Sequence, residues 1–461
     1  MSSEAVTPNM FTHGPLGAVF AKTALPIILV MSLNGLTAVV DAAFLGVFVG
    51  PEALGAVTLM FPLHMLIVAL ATLVASGMSS LLARHLGGGL VSEARAVFAG
   101  AHGLALAVSV GLILLFLIFG RQVTLLAAAG SESLAAMGRI YFGILVLFSP
   151  ALFVVSVNSD ALRNEGRTGL MASMSLAISF SNVGFNYVLI AILDLGVAGS
   201  AFGTAMAWGL ALLIVFAFRM RGRTELRPSA LFRYSPVTAW RRVLALGAPQ
   251  SLGFLGMALV SAAIIVALQL ADTGSYSITV SAYGIITRIM TFAFLPLLGL
   301  SQALQSIVGN NYGAELWRRS DDGLRLGIVI AFIYCLAAQT VLIGFAGLIG
   351  FLFVADARVA GEVARIMPVM VAMFFAAGPL VMIATYFQAI GDAGRAAILA
   401  LSKPYLFAIP LIFLLSFAFG EQGIWMAGPT AELLLLGLAA VVLAARAQRE
   451  ELRWGLFKAA A

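Results

Sequence analysis

One acidic residue stands in the middle of a long apolar run near the start of the chain. Asp41 lies in the segment TAVVDAAFLG, and no other charged residue occurs between Lys22 and Glu52. A charged Asp near the centre of a bilayer costs roughly 2.5–3.5 kcal/mol on insertion scales, and such acids usually serve transport or proton transfer. We therefore predict that Asp41 binds and releases a cation. The alternative is a structural acid held by hydrogen bonds.

Several polar, uncharged residues could form a site around this acid. Asn34 and Thr37 precede Asp41 by seven and four positions, which places all three on one face of a helix. Asn182 and Asn186 are one helical turn apart, and an amide can both donate and accept hydrogen bonds without ionising. This pattern predicts a polar site inside a helix bundle. The alternative for the two asparagines is hydrogen bonding that only packs helices together.

The remaining candidates are a proline and three charged residues. Pro26 removes a backbone donor, so it could be a hinge that bends when Asp41 changes protonation, or a static kink. Glu432 lies in the middle of the last apolar run and could form a second cation site or remain a hydrogen-bonded carboxyl. Arg288 and Lys403 are secondary candidates, and both are more typical of ion pairing or of snorkelling to the membrane surface.

The composition determines what kind of elements carry these residues. Of 461 residues, 62% are hydrophobic and 10% are charged, and the mean hydropathy is +1.06. Soluble domains carry about 25% charged residues, and a bilayer is crossed by about 20 apolar residues in a helix. We predict an all-α polytopic membrane protein with twelve transmembrane helices in two pseudo-symmetric six-helix bundles. The predicted spans are 18–48, 53–84, 94–119, 134–161, 168–192, 197–219, 240–271, 277–311, 324–353, 361–389, 396–418 and 423–445.

Charge bias divides the chain and predicts its orientation. We assign residues 1–220 to an N-terminal bundle, 221–239 to a cytoplasmic basic linker, and 240–461 to a C-terminal bundle with a short cytoplasmic tail. The central connection carries many arginines and a single acid, Glu225. Because positive loops stay inside, we expect a multi-pass protein of the inner (plasma) membrane with both termini in the cytoplasm.

The two halves also resemble each other. ALRNEGRTGLMA in the first half matches AIGDAGRAAILA in the second, with Gly166 opposite Gly394, and Pro26 matches Pro249. Each match lies six helices from its partner, so the repeats run in the same direction through the membrane. Parallel repeats of this kind are typical of secondary transporters.

Other classes of function lack their signatures. The sequence contains no G-x-x-x-x-G-K-[ST] loop and no H-E-x-x-H motif, so we expect no cofactor, no metal and no enzyme activity. The single cysteine, Cys335, cannot form an intrachain disulfide. The formal charge of +6 is explained by membrane loops, so we expect no nucleic-acid partner.

Longer motifs resemble a known family. VVDAAFLGVFVGPEALGAVTLMFP, LRNEGR, LGVAGSAFGT, AYGIITRI, PLLGLSQALQSIVGNNYGA and FQAIGDAG are similar to signatures of the multidrug and toxic compound extrusion (MATE) family, in the family's order. The resemblance extends from about residue 16 to 445. It implies two six-helix bundles facing a central cleft, and antiport of organic, often cationic, compounds against protons or sodium. The chain is most similar to the bacterial branch that includes DNA-damage-inducible protein F.

The resemblance also implies roles for individual residues. Asp41 matches the coupling acid of the first helix, Tyr141 a tyrosine of the fourth, Asn182 an asparagine of the fifth and Thr204 a threonine of the sixth. Asn186 departs from the branch, which usually has a second acid at that position. That departure puts the two-carboxylate ion site of the branch in doubt.

The sequence therefore predicts an antiporter that exports lipophilic, cationic organic compounds in exchange for protons, coupled through Asp41. Its partners would be small organic substrates, protons and the lipid bilayer, and we expect a monomer. Sodium coupling is an alternative, and so is a lipid or polyprenyl-carrier flippase, although the intramembrane basic residues are few, mainly Arg288 and Lys403. An integral membrane enzyme is a further alternative, but it would need clustered His, Asp or Glu at a membrane surface.

The orientation can be tested with reporter fusions. Fusions within residues 221–241 and at the C-terminus should both report the cytoplasm, whereas a fusion near Glu421 should report the outside, because the arginine-rich loops stay inside. A periplasmic signal from the central connection would contradict the orientation, since that connection carries most of the charge bias.

Overall fold

The computed structural model describes residues 9–128, 130–222, 224–271, 276–354, 356–450 and 452–458. The outer ends of the two predicted domains, residues 1–8 and 459–461, and Arg223 of the predicted linker lie outside these residues. The described chain is almost entirely helical. A short antiparallel hairpin near the C-terminus pairs Leu452 with Lys458 and Arg453 with Phe457.

The helices follow the predicted spans closely, with several spans broken into two helices. In chain order they are α1 (Leu16–Phe44), α2 (Pro51–Leu59), α3 (Phe61–Gly87), α4 (Val91–Ala127), α5 (Glu132–Leu147), α6 (Ser149–Asn164), α7 (Thr168–Asn186), α8 (Gly196–Met220), α9 (Ala230–Arg233), α10 (Trp240–Leu270), α11 (Tyr276–Gly313), α12 (Trp317–Gly344), α13 (Ala346–Phe353), α14 (Ala357–Met370), α15 (Phe374–Ile390), α16 (Ala393–Leu401), α17 (Ile409–Phe419) and α18 (Glu421–Glu450). Strands β1 (Leu452–Arg453) and β2 (Phe457–Lys458) form the hairpin. Three π-helical segments, Leu45–Val49, Tyr187–Ile192 and Ser402–Ala408, continue or interrupt these helices.

Ten helical spans in the described chain are long and apolar enough to cross a membrane. Two further spans are bent pairs, α5 with α6 and α14 with α15, each with an angle of 49° between its helices. With each pair taken as one span, the protein has the twelve membrane helices that the sequence predicts.

The chain divides into two compact units. Unit 1 comprises Met1–Gly14 and Ala21–Ser251, and unit 2 comprises Pro15–Phe20 and Leu252–Ala461. The two units divide α10 between Ser251 and Leu252, inside a helix, whereas the sequence analysis placed its boundary in the preceding linker.

Equivalent helix ends recur in the two units. Gly166 has a positive φ of 75°, and the residue after it donates to the Leu162 carbonyl, which is the Schellman pattern. Gly391, with a φ of 93°, ends α15 in the same way through the Phe387 carbonyl. The backbone therefore pairs Gly166 with Gly391, three positions before the predicted partner Gly394. The sequence match aligned the Gly-Arg dipeptides, but the helix end requires glycine where φ is positive.

The central connection between α8 and α10 packs against other helices of unit 1. Arg219 donates from Nη1 to the Leu226 carbonyl at 2.8 Å, and Glu165 accepts the Leu226 N–H at 3.0 Å. The same Arg219 atom forms a buried ion pair with Glu165 at 3.1 Å. Farther along, Trp240 donates from Nε1 to the Gly100 carbonyl at 2.9 Å. We call residues 224–240 the bracket, because both of its ends are fastened to unit 1.

Small residues allow two helices of unit 1 to pack at very short range. A Cβ atom added at Gly77 of α3 would lie 1.9 Å from the Val243 carbonyl oxygen of α10. One added at Gly247 of α10 would lie 1.8 Å from the Leu73 carbonyl oxygen of α3. Backbones can approach this closely only where side chains are absent, as is common between membrane helices.

This contact gives a stability prediction. Gly247→Ala should destabilise the protein, because the new methyl group overlaps a backbone oxygen, and overpacking typically costs roughly 1–3 kcal/mol. Thermal unfolding of the purified protein in detergent measures the effect. Gly253→Ala on the same helix is the matched control, since its Cβ would meet nothing within 4 Å. Equal midpoints for the two variants would contradict the close approach.

Candidate functional site

Asp41 is held by a neutral amide. Its side chain is half-buried near the end of α1, and Asn186 of α7 donates from Nδ2 to Asp41 Oδ1 at 2.7 Å. Asn186 is fully buried. No ion pair in the described part of the chain includes Asp41. The structure thus places a membrane carboxyl against a group that cannot ionise.

The polar contacts continue from Asn186 to a third helix. Asn186 Nδ2 lies 3.5 Å from Asn182 Oδ1, and Asn182 donates from Nδ2 to Thr204 Oγ1 at 3.2 Å. Thr204 of α8 in turn donates to the Ser200 carbonyl at 3.1 Å. The residues Asp41, Asn186, Asn182 and Thr204 are therefore a hydrogen-bonded row across α1, α7 and α8. We call this set the polar row.

A glycine makes room for Asn186. A Cβ atom added at Gly203 of α8 would lie 2.0 Å from Asn186 Oδ1 and 3.2 Å from the Asn186 backbone nitrogen. Asn186 Oδ1 is buried and has no hydrogen-bond partner among the described atoms. The amide thus fits between α1 and α8 because position 203 has no side chain.

The helices on either side of this contact change register just beyond it. The π-helical segment Leu45–Val49 begins four residues after Asp41, and the segment Tyr187–Ile192 begins directly after Asn186. Single π-helical turns inside α-helices are frequent at functional sites. A π-helical segment therefore follows the Asp41–Asn186 contact on each of the two helices that make it.

The other predicted members of the site make fewer contacts. Thr37 is half-buried and donates to the Leu33 carbonyl of its own helix at 3.0 Å. Asn34 is exposed. Tyr141 lies close enough to Asp41 to interact with it electrostatically, and it makes no hydrogen bond to the described residues. The structure does not bring Asn34 and Thr37 into the polar row.

Pro26 has a partner that compensates for its missing donor. α1 continues through Pro26, which leaves the carbonyl of Lys22, four residues earlier, without its usual helical partner. Thr168, at the start of α7, donates from Oγ1 to that carbonyl at 3.3 Å. The same two helices therefore meet at the proline and again at Asp41.

The secondary candidates belong to unit 2. Glu432 is buried in α18 and forms an ion pair with Lys403, which lies in the π-helical segment Ser402–Ala408. Arg288 of α11 is exposed. The described residues contain no group of three or more His, Cys, Asp or Glu side chains that could hold a metal ion.

The twelve spans and the acid inside the first of them define a polytopic membrane protein, and comparison identifies its family. The MatE family model matches residues 26–188 and again residues 250–414. The chain therefore belongs to the MATE family, whose members are membrane transporters. The double match also supports the internal repeat, because one model fits each half.

Known relatives cover nearly the whole chain. An FAD transporter of Shewanella oneidensis is 26% identical over 443 residues, which are 94% of this chain and 95% of that protein. The multidrug export protein MepA of Staphylococcus aureus is 24% identical over 428 residues, 90% of each chain.

Solved structures share the fold. An outward-facing multidrug resistance MATE transporter superposes with a TM-score of 0.85 at 22% identity, covering 95% of this chain and 96% of that one. A MATE structure in complex with the compound MaD3S gives a TM-score of 0.84, also at 22% identity, covering 95% of this chain and 97% of that one.

Gly203 and Thr168 were missed by the sequence analysis. Gly203 stands directly before Thr204 in the motif LGVAGSAFGT. Its contact with Asn186 depends on how the helices pack, which the motif does not specify. Thr168 could have been considered as a donor, since a helix proline always frees the carbonyl four residues earlier. Nothing in the sequence alone says which helix supplies that donor.

The position of Gly203 yields a test of the polar row. Gly203→Ala should displace Asn186 from Asp41 and lower the thermal midpoint, because a methyl group would occupy the space of the Asn186 amide oxygen; overpacking costs roughly 1–3 kcal/mol. Gly209→Ala on the same helix is the matched control, because a Cβ there meets nothing within 4 Å.

A second measurement separates the polar row from general packing. An Asn186→Ala background removes the amide oxygen at 2.0 Å and leaves the backbone nitrogen of residue 186, at 3.2 Å, near the added methyl group, so Gly203→Ala should then cost much less. An equally large cost in both backgrounds would show that Asn186 is not the neighbour that matters.

Proposed function

We propose that the protein is a secondary active antiporter that exports organic compounds in exchange for protons, with Asp41 as the coupling residue. The observation that carries this proposal is the contact between Asp41 and the neutral amide of Asn186, without an ion pair for Asp41 in the described residues. A cation fixed beside the acid would keep it ionised. An amide leaves both protonation states accessible.

The chemistry of the amide suits a reversible proton site. With the carboxylate ionised, the N–H group of Asn186 donates to it, as observed. With the acid protonated, the acid becomes a donor, and an amide turned about its last bond presents its oxygen as an acceptor. Neither state then leaves Asp41 without a partner, so the proton can come and go without unfolding the site.

The proposed substrate class draws on the names of two relatives and on the family resemblance, which implies organic, often cationic, compounds. One is named an FAD transporter and another a multidrug export protein. We propose lipophilic organic compounds, many of them cationic, as substrates. Export would proceed from the cytoplasmic side of the inner membrane by a monomer with both termini in the cytoplasm.

Coupling requires that protonation and substrate binding compete. External protons would neutralise Asp41 when it faces outward, which weakens its hold on a cationic substrate. The proton would then be released to the cytoplasm after the return step. One proton that enters across 100 mV supplies roughly 2.3 kcal/mol, which corresponds to about a fortyfold gradient of a neutral substrate.

Sodium is the alternative coupling ion, since carboxylate and amide oxygens also bind it. The proton is favoured because the branch's second carboxylate is replaced here by Asn186. A single acid can exchange one proton, whereas a sodium site gains from each additional carboxylate.

The role of Asp41 can be tested in reconstituted vesicles. Asp41→Asn should retain the fold but abolish efflux of a fluorescent lipophilic cation driven by a pH jump with sodium absent, because the amide resembles the protonated acid and cannot titrate. Asp194→Asn is the matched control, since Asp194 is exposed in the same unit.

Two results would change the proposal. Efflux by Asp41→Asn near the wild-type rate would remove Asp41 from the mechanism. Wild-type efflux that runs on an imposed sodium gradient and not on a pH gradient would leave the site in place but make sodium the coupling ion.

A further inference from the structure

Unit 2 contains a charge pair inside its membrane helices that the proposed coupling mechanism does not use. Lys403 Nζ contacts Glu432 Oε2, and the side chains are 39% and 6% exposed, respectively. The carboxylate is thus buried, whereas the lysine side chain that pairs with it is partly exposed.

Both residues lie well inside membrane spans. Lys403 lies ten residues after Ala393, the first residue of the span Ala393–Phe419, and Glu432 lies eleven residues after Glu421, the first residue of α18. At about 1.5 Å per residue, each lies roughly 15 Å from the start of its span, which is half of the about 30 Å hydrocarbon thickness. Charges at this depth are expensive and usually belong to a transport pathway.

The backbone around Lys403 is fixed by its neighbours. Lys403 is the second residue of the π-helical segment Ser402–Ala408. Gly256 of α10 admits the Pro404 ring, since a Cβ there would lie 2.7 Å from two of its ring atoms. Tyr405 donates from its hydroxyl to the Leu252 carbonyl at 2.9 Å. The ammonium group is therefore presented from a braced, irregular turn of the kind often found at functional sites.

The ammonium group is incompletely paired. A lysine ammonium has three N–H donors, and Glu432 is the one acceptor that Lys403 contacts within the described residues. Its remaining donors can receive a second anionic oxygen. The ammonium group of Lys403 already binds the carboxylate of Glu432. The ligand group that suits it best is therefore another carboxylate.

We propose that Lys403 binds the carboxylate of a transported organic compound, and that Glu432 neutralises Lys403 when no such compound is present. This inference rests on the proposed function, because it names a chemical group of the substrate. It extends the substrate class from lipophilic cations to compounds that also carry an acid. Glu432 then sets affinity by competing with the substrate for the same ammonium group.

The test uses two dyes that differ in one group. Rhodamine 6G is a cationic ester, and rhodamine 19 is the corresponding free acid, so the ratio of their affinities isolates the carboxylate. Binding is measured by fluorescence polarisation with the purified full-length protein in a neutral detergent. No gradient is needed, so the result does not depend on the coupling ion.

Three variants set the expected order. Glu432→Gln frees Lys403 and should raise the acid-to-ester affinity ratio roughly tenfold, the size of one hydrogen bond between charged groups. The double variant Lys403→Gln/Glu432→Gln should lower the ratio below the wild-type value. The single Lys403 variant is avoided because it leaves a buried carboxylate unpaired, which is strongly destabilising. Arg449→Gln, which removes an exposed positive charge from α18, the helix that carries Glu432, should leave the ratio unchanged.

The outcomes separate the two proposals. An acid-to-ester ratio that is the same in wild type and Glu432→Gln would overturn the role of Lys403, as would a wild-type protein that binds neither dye. If the double variant does not fold, the ratio in Glu432→Gln alone still decides. Asp41-dependent efflux in vesicles would stand after either failure, whereas binding that follows the expected order would stand even if Asp41 were not the coupling residue.

Discussion

The hydrogen bond between Asp41 and Asn186 constrains the packing of three helices of unit 1, α1, α7 and α8. An acid within a membrane helix must be paired, neutralised or hydrogen-bonded, and here the partner is an amide at 2.7 Å. That amide fits because position 203 lacks a side chain, and it is oriented by contacts that end at Thr204. A single polar contact thus determines residue types on three helices.

The two units pair an acid inside a membrane helix with different partners. In unit 1 the acid faces a neutral amide and has no ion pair among the described residues, whereas in unit 2 Glu432 is paired with Lys403. The aligned prolines place Asp41 opposite Ile264 in the second half, so the repeat did not preserve an acid at this position. The shared architecture therefore supports two different electrostatic environments, one with a neutral amide beside the acid and one with an ammonium group beside it.

Much of the fold could be predicted from the sequence, because long apolar runs in lipid must be helices. The spacing of Asn182 and Asn186 indicated a polar site around Asp41, and Asn186 was the position that departs from the family branch. The close packing at Gly203 was not, because neither residue type nor periodicity says which atoms meet across helices. The pairing of Lys403 with Glu432 was also not predicted, since the two residues are distant in sequence and each could instead have snorkelled or faced water. Asn34 shares a helical face with Asp41, but helical spacing alone does not decide which members of a face are buried.

The bracket has a consequence for the order in which the protein can be made. The bracket makes its contacts through Leu226 and Trp240, and Gly247 packs on α3. All of these contacts are made by residues that precede the end of unit 1 at Ser251. Domains generally fold as they are synthesised, the N-terminal one first. Unit 1 can therefore complete its helix packing and fasten its arginine-rich connection before most of unit 2 has been translated. The helices of the second half would then be inserted after those of the first half have packed.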